Sequence, residues 1–148
     1  MIVVASDHAA VDLKRRVVEL LAARGEQFTD LGPADDRSVD YPDYAHRAVA
    51  EIVAGRAERG ILICGTGIGM SMAANRHPGV RAALCHDAYT AEMARRHNDA
   101  NVLCLGARVL GAGVAEQVVG IFLATAFEGG RHQRRVAKIE PGSNYGEE

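Results

Sequence analysis

Tryptophan is absent from the 148 residues, and the aromatic side chains together make up only 5% of them. A stacking platform for bases or a lectin groove needs flat aromatic faces, so neither is expected. Excess positive charge is also missing: 17 Lys and Arg face 19 Asp and Glu, for a formal net charge of −2. No whole-molecule positive field exists to hold nucleic acid or an anionic membrane, and any phosphate must be gripped locally. Nor does a long apolar run open the chain. Met1-Ile2-Val3-Val4-Ala5-Ser6-Asp7 lacks a basic lead and reaches a charge at its seventh residue, which is neither a signal peptide nor a membrane span and predicts a cytoplasmic protein. Cysteine is scarce and odd in number. Cys64, Cys85 and Cys104 each lie in or at the end of an apolar run, as reduced thiols in a sheet would, and their spacings of 21 and 19 fit no zinc ribbon.

What is present is the profile of an ordinary globular chain, 48% hydrophobic and 24% charged. At roughly 100–200 residues per domain, it holds one core. Residues 1–140 read as a single domain. Residues 141–148, rich in Gly, Ser and Asn, read as a flexible tail. Short apolar runs at 2–5, 27–31, 60–64, 80–85 and 102–105 are bounded by Gly, Asp or Pro and predict five strands. Between and after them, 9–24, 44–54, 69–76, 88–96 and 114–127 carry helical spacing, as in Leu13, Val17, Leu20 and Leu21. This alternation predicts a three-layer α/β, Rossmann-like fold: a five-stranded parallel sheet covered by helices on both faces.

In such a sheet ligands bind beyond the carboxyl ends of the strands. The first strand there leads into Ser6-Asp7-His8, the third into Cys64-Gly65-Thr66-Gly67-Ile68-Gly69, and the fourth into His86-Asp87. Glycines at alternate positions between a strand and a helix gather backbone N–H groups and a helix dipole at one spot, which makes an anion site. A nucleotide is one possible occupant, but the Gly-Lys-Ser/Thr ending of a Walker loop is missing, and Met70 stands where the dinucleotide fingerprint needs glycine. A tight turn that merely needs small residues is the plainer alternative.

Cys64 opens that loop, where a thiolate is favoured as base or nucleophile, although a cysteine ending a strand also serves for packing alone. Packing accounts for Cys85 and Cys104. His97 ends the fourth predicted helix, as a C-terminal cap against the dipole or as a catalytic group. Arg131 and Arg135 stand four apart on one face of a short helix, placed either to clamp a phosphate or to form a solvated basic face.

Taken together, these pieces resemble the sugar-phosphate isomerase family of ribose-5-phosphate isomerase B, which also holds galactose-6-phosphate and allose-6-phosphate isomerases. The resemblance runs from Met1 to about Glu140. It rests on Ser6-Asp7-His8, Asp40-Tyr41-Pro42, residues 60–69, Ala73-Ala74-Asn75, His97-Asn98-Asp99 and the run from Glu128 through Arg135-Val136. It implies an aldose–ketose isomerase that works through an enediolate without metal or organic cofactor. In that reading Cys64 moves the proton between C2 and C1, and the loop of Gly65, Thr66, Gly67, Ile68 and Gly69 holds the enediolate oxygen with help from the Thr66 hydroxyl. Members without this cysteine use a Glu in the following helix; Met70-Ser71-Met72 stands there instead, so the cysteine mechanism carries over. His97 would open the sugar ring, Asp7 and Asn98 would bind sugar oxygens, and His8, Arg131 and Arg135 would grip the phosphate. Tyr41 and Arg108 rank second as pocket residues. The family's site lies between two subunits, which implies a homodimer with shared sites, extending in some cases to a tetramer.

The chemistry agrees with that reading on its own terms. A proton taken beside a carbonyl leaves an oxyanion, and losing one preorganised donor to it typically costs about 3–4 kcal/mol. The helix containing Val114, Val118, Ile121, Phe122, Leu123 and Phe127 is apolar over more than one stripe, which suits deep burial or a subunit interface. The expected substrate is ribose 5-phosphate, with a hexose 6-phosphate or a tetrose phosphate as the nearest alternatives. A non-catalytic sugar-phosphate or nucleotide sensor is a rival of another class, one that would have no use for Cys64 and His97.

Overall fold

The computed structural model describes residues 1–143. Its strands are β1 (Ile2–Ser6), β2 (Phe28–Asp30), β3 (Arg59–Cys64), β4 (Ala82–Leu84) and β5 (Val102–Gly106). Its helices are α1 (Val11–Ala23), α2 (Tyr41–Val53), α3 (Ile68–Ala74), α4 (Ala88–Arg96), α5 (Ala112–Ala124) and α6 (Arg131–Ala137), with a 3-10 turn at His8–Ala10. All four strand pairings are parallel, in the order β2-β1-β3-β5-β4. The chain leaves β1 toward β2 on one side and returns to β3 on the other, so a crevice opens above the carboxyl ends of β1 and β3.

Near-continuous apolar strands follow from burial on both faces. Side chains alternate across a strand: Ile2, Val4, Ile61, Ile63, Leu103 and Leu105 join one core cluster, while Val3, Ala5, Leu62, Cys64, Val102 and Cys104 join the other. The first cluster is closed by α1, α4 and α5 through Leu13, Val17, Leu21, Ala91, Ala94, Val118 and Phe122. The second is closed by α2 and α3 through Ala45, Val49, Met70 and Ala74. The expected three layers are therefore present. No helix among the described residues is long and apolar enough to cross a membrane.

Several boundaries differ from expectation. The second helix begins at Tyr41, three residues early, because Pro42 fits its first turn, where no intrahelical N–H partner is lost. The fifth ends at Ala124, short of Phe127. Thr125 turns extended, its hydroxyl bonds the Ile121 carbonyl at 2.6 Å, and its own carbonyl accepts from Arg95 Nε at 3.2 Å. That helix buries one stripe, Ala115, Val118, Val119 and Phe122, and leaves Val114 exposed. The strand expected over 80–85 shrinks to Ala82–Leu84, whose outer edge is capped by a side chain: Asn75 accepts from Ala82 N–H at 2.8 Å and donates to its carbonyl at 2.9 Å. Of the tail, Pro141 and Gly142 form a turn closed by Ser143 N–H on the Glu140 carbonyl at 3.3 Å, and 144–148 lie outside the described residues.

Candidate active site

At the carboxyl ends of the strands, β1 delivers Asp7 and His8. Asp7 is nearly buried, and its Oδ1 accepts the Ala9 N–H at 3.0 Å, so the carboxylate caps the 3-10 turn. The His8 ring places Nδ1 3.2 Å from both the nitrogen and the oxygen of Val39. Beside them β3 ends at Cys64, only 5% exposed. The sulfur accepts the Gly67 N–H at 3.1 Å, which puts a donor against any negative charge there. Thr66 Oγ1 accepts the Ile68 N–H at 3.2 Å and keeps its own hydrogen free to donate. Two of the five amides in the loop are thus turned on the loop's own side chains.

This bend is wedged between neighbours. Gly67 sits at φ +77°, and a methyl there would lie 2.5 Å from Leu84 Cδ1 and 2.9 Å from the Leu105 carbonyl carbon. A methyl at Gly69 would meet the Tyr41 ring at 2.7 Å, so that ring lies against the start of α3. The turn after β5 zips onto the loop: Ala107 and Arg108 N–H donate to the Cys64 and Gly65 carbonyls, each at 2.9 Å. The exposed Arg108 side chain runs beside Gly65.

The other candidates sit elsewhere. Because α4 runs antiparallel to the strands, it leaves β4 at the carboxyl end and delivers His97 and Asn98 near the start of β5. Asn101, two residues past Asp99, binds Arg81 N–H at 2.8 Å just before β4 begins. Cys64 pairs with Gly106 and Gly60 with Val102. At about 3.3 Å per residue those two levels lie roughly 13 Å apart along the strands. Arg131 and Arg135, both exposed on α6, belong to the same end as His97. One chain therefore gathers Asp7, His8, Cys64, Thr66, Tyr41 and Arg108 at one end and His97, Asn98, Arg131 and Arg135 at the other.

His132 and Glu128 also belong to the second group, and no role was expected for either. The His132 ring stacks on His97 with centroids 4.2 Å apart and planes 11° from parallel. It is buried, and its Nε2 has no hydrogen-bond partner among the described residues. Burial, followed by the neighbouring His97 and Arg131, pushes its pKa below the ordinary histidine value. Glu128 and His132 stand four apart, a spacing that Gly129-Gly130 obscures. The ligand atoms of His97, Glu128 and His132 lie within 4.8 Å of one another. Parallel stacking nevertheless points the two rings' lone pairs into separate planes, and Glu128 is engaged by Arg96 at 3.1 Å, so the trio is not a prepared metal centre.

Depressions of about 520 and 500 Å³ lie at the amino ends of the strands, the first beside Met1 and Arg59, the second beside Asn75, Asn98 and Ile139. A third of about 300 Å³ adjoins His8, Asp12 and Arg15. Cys64 lines none of the three.

Comparison with known proteins identifies the family. The Ribose/Galactose Isomerase family matches residues 2–139. The ribose-5-phosphate isomerase B of Escherichia coli is 44% identical over 133 residues, covering 90% of this chain and 89% of its own. The D-erythrulose-4-phosphate isomerase of Pectobacterium atrosepticum is 44% identical over 140 residues, covering 93% and 91%. Among solved structures, the ribose-5-phosphate isomerase B of Clostridium thermocellum superposes with a TM-score of 0.92 at 47% identity, covering 93% of each chain. That of Thermotoga maritima gives 0.91 at 51% identity, covering 93% of this chain and 95% of its own. With fold and family match in agreement over nearly the whole chain, the protein belongs to the ribose/galactose isomerase family and is a sugar-phosphate isomerase.

Proposed function

We propose that this protein interconverts ribose 5-phosphate and ribulose 5-phosphate, at a site that two copies of the chain build together. The observation that carries the reading is the meeting of the Cys64 sulfur and the Gly67 amide at the bend after β3. With the open-chain aldose bound there, the Cys64 thiolate takes the proton from C2. The C–H electron pair becomes the C1=C2 bond of an enediolate, and the carbonyl oxygen on C1 takes up the negative charge. The hydroxyl proton on O2 passes to O1, the thiol returns its proton to C1, and the C2–O bond becomes the carbonyl. The Thr66 hydroxyl and the free amides of the loop face the developing oxyanion. His97 assists ring opening as an acid, Asp7 and Asn98 hold sugar oxygens, and His8 with Arg131 and Arg135 grips the phosphate. That remote grip supplies the binding energy that holds the acyclic form in place. His97 and both arginines lie at the opposite end of the sheet from Cys64, so in this reading a second copy supplies them. Tyr41 and Arg108 then close the walls of the pocket.

A second reading, a tetrose phosphate as substrate, is favoured by the Pectobacterium relative, which is as similar in sequence as the Escherichia coli one. The deciding experiment assays four-, five- and six-carbon aldose phosphates with the wild type and Cys64→Ala, after dialysis against a chelator. Ribose 5-phosphate should give the highest kcat/KM. Cys64→Ala should lower kcat about 10²–10⁴-fold with an unchanged circular dichroism spectrum. Unchanged turnover in that variant removes the proton-transfer role, and a higher kcat/KM on a tetrose or hexose phosphate changes the substrate.

A further inference from the structure

Two helices of this fold end on a glycine in the left-handed region, α1 on Gly25 at φ +71° and α2 on Gly55 at φ +72°. The end of α4 is built differently. There the left-handed residue is Asp99 at φ +45°, the one non-glycine residue with positive φ among those described. Glycine would take that conformation without the conflict that an L side chain meets, so the carboxylate must supply something glycine cannot. It is held from both sides. Oδ2 accepts from Arg81 Nη2 at 3.1 Å and Oδ1 from Arg95 Nη1 at 3.0 Å, while Arg81 Nε donates to the Asp99 carbonyl at 2.9 Å. Arg95 is itself buried and donates onward to the carbonyls of Ala100 and Thr125. Arg81 leads into β4, Arg95 belongs to α4, and Thr125 follows α5. One carboxylate thus joins three parts of the fold two residues after His97.

We infer that Asp99 is a positioning residue of the isomerase site: clamped between Arg81 and Arg95, it holds the end of α4 in the left-handed turn that aims the His97 imidazole. The inference rests on the role given to His97 above. The competing account is that the clamp merely stabilises the junction of β4, α4 and α5, and the two accounts differ in what happens once the imidazole is gone.

The substitutions separate conformation from charge. Asp99→Asn keeps tolerance of the left-handed region and acceptor capacity but loses the charge, whereas Asp99→Gly keeps the conformation alone. In the purified full-length enzyme assayed on ribose 5-phosphate, Asp99→Asn should lower kcat roughly tenfold and Asp99→Gly toward 100-fold. KM should shift less than kcat, because the arginines that grip the phosphate stand on α6 and Asn98 alone of the sugar-binding residues shares this turn. In a His97→Asn background, Asp99→Asn should cost less than about twofold in residual kcat, while its lowering of Tm is the same in both backgrounds. Equal fold losses of kcat in the two backgrounds, or an unchanged kcat in Asp99→Asn, overturns the positioning role. If Asp99→Gly fails to fold, the near-isosteric Asn variant carries the test. Should His97→Asn alone leave turnover unchanged, the role of His97 falls and the inference falls with it. If His97→Asn is costly and the losses still multiply, only the inference falls.

Discussion

His132 lies flat against His97, and its Nε2 has no hydrogen-bond partner among the described residues, Glu128 Oε1 standing 3.7 Å from that nitrogen. Its consequence is a pH dependence with a definite sign. Burial holds the folded-state pKa below the ordinary value of 6.5, so between the two values the unfolded chain binds more protons. The contribution of this residue to stability is complete above about pH 6.5 and is lost as pH falls through the folded-state pKa. In urea unfolding at pH 7.5 and pH 5.5, His132→Phe should show a smaller loss of stability between the two conditions than the wild type; an equal loss would mean the ring is protonated in the fold. The three thiols part company in a similar way. Burial pushes Cys85 up to about 11 and Cys104 higher still, whereas Cys64 is the thiol that receives a backbone N–H. In the sequence all three looked alike as cysteines in apolar runs. Only the loop that follows Cys64 distinguished it, and that cue was legible because glycines adjacent in sequence stay adjacent in space.

The bend between β3 and α3 depends on a glycine that the alternate spacing marks but does not explain. At Gly67 the left-handed φ of +77° and the approach of Leu84 and Leu105 act together. Gly67→Ala should destabilise the protein by about 2–4 kcal/mol, the sum of backbone strain and overpacking, as read from the urea midpoint. A loss under about 0.5 kcal/mol would mean the loop can move aside without cost. The Leu105 and Leu84 contacts come from strands that follow later in the chain, so no local pattern around residue 67 announces them. Helix and strand identities were legible from spacing for the same reason that α1 buries Leu13, Val17 and Leu21 on one face. The ends were less so: Thr125 stops α5 through bonds to Ile121 and Arg95, one local and one not.

Assembly is tested by mixing. In a site shared between copies, Cys64→Ala and His97→Asn each disable both sites of their own homodimer. A mixed dimer carries one doubly altered site and one intact site. Co-refolding the two inactive variants in equal amounts should restore about one quarter of wild-type activity, since half of the dimers are mixed and each has one working site of two. Recovery of nothing would mean that Cys64 and His97 do not complete one site across two copies.

The local order of residues settled the class of the fold, the five strands, and the loop in which a thiol, a hydroxyl and backbone amides meet, because each of these depends on neighbours a few positions apart. Strand order β2-β1-β3-β5-β4, the turn at Asp99 and the stack of His97 on His132 were not legible, since they arise from how helices cross the sheet and bury their faces. The same crossings put Cys64 and His97 at opposite ends of one molecule, a separation that no spacing along the chain expresses. Contacts between distant segments are chosen by burial of the whole core, and that choice divides the candidate catalytic groups into two halves.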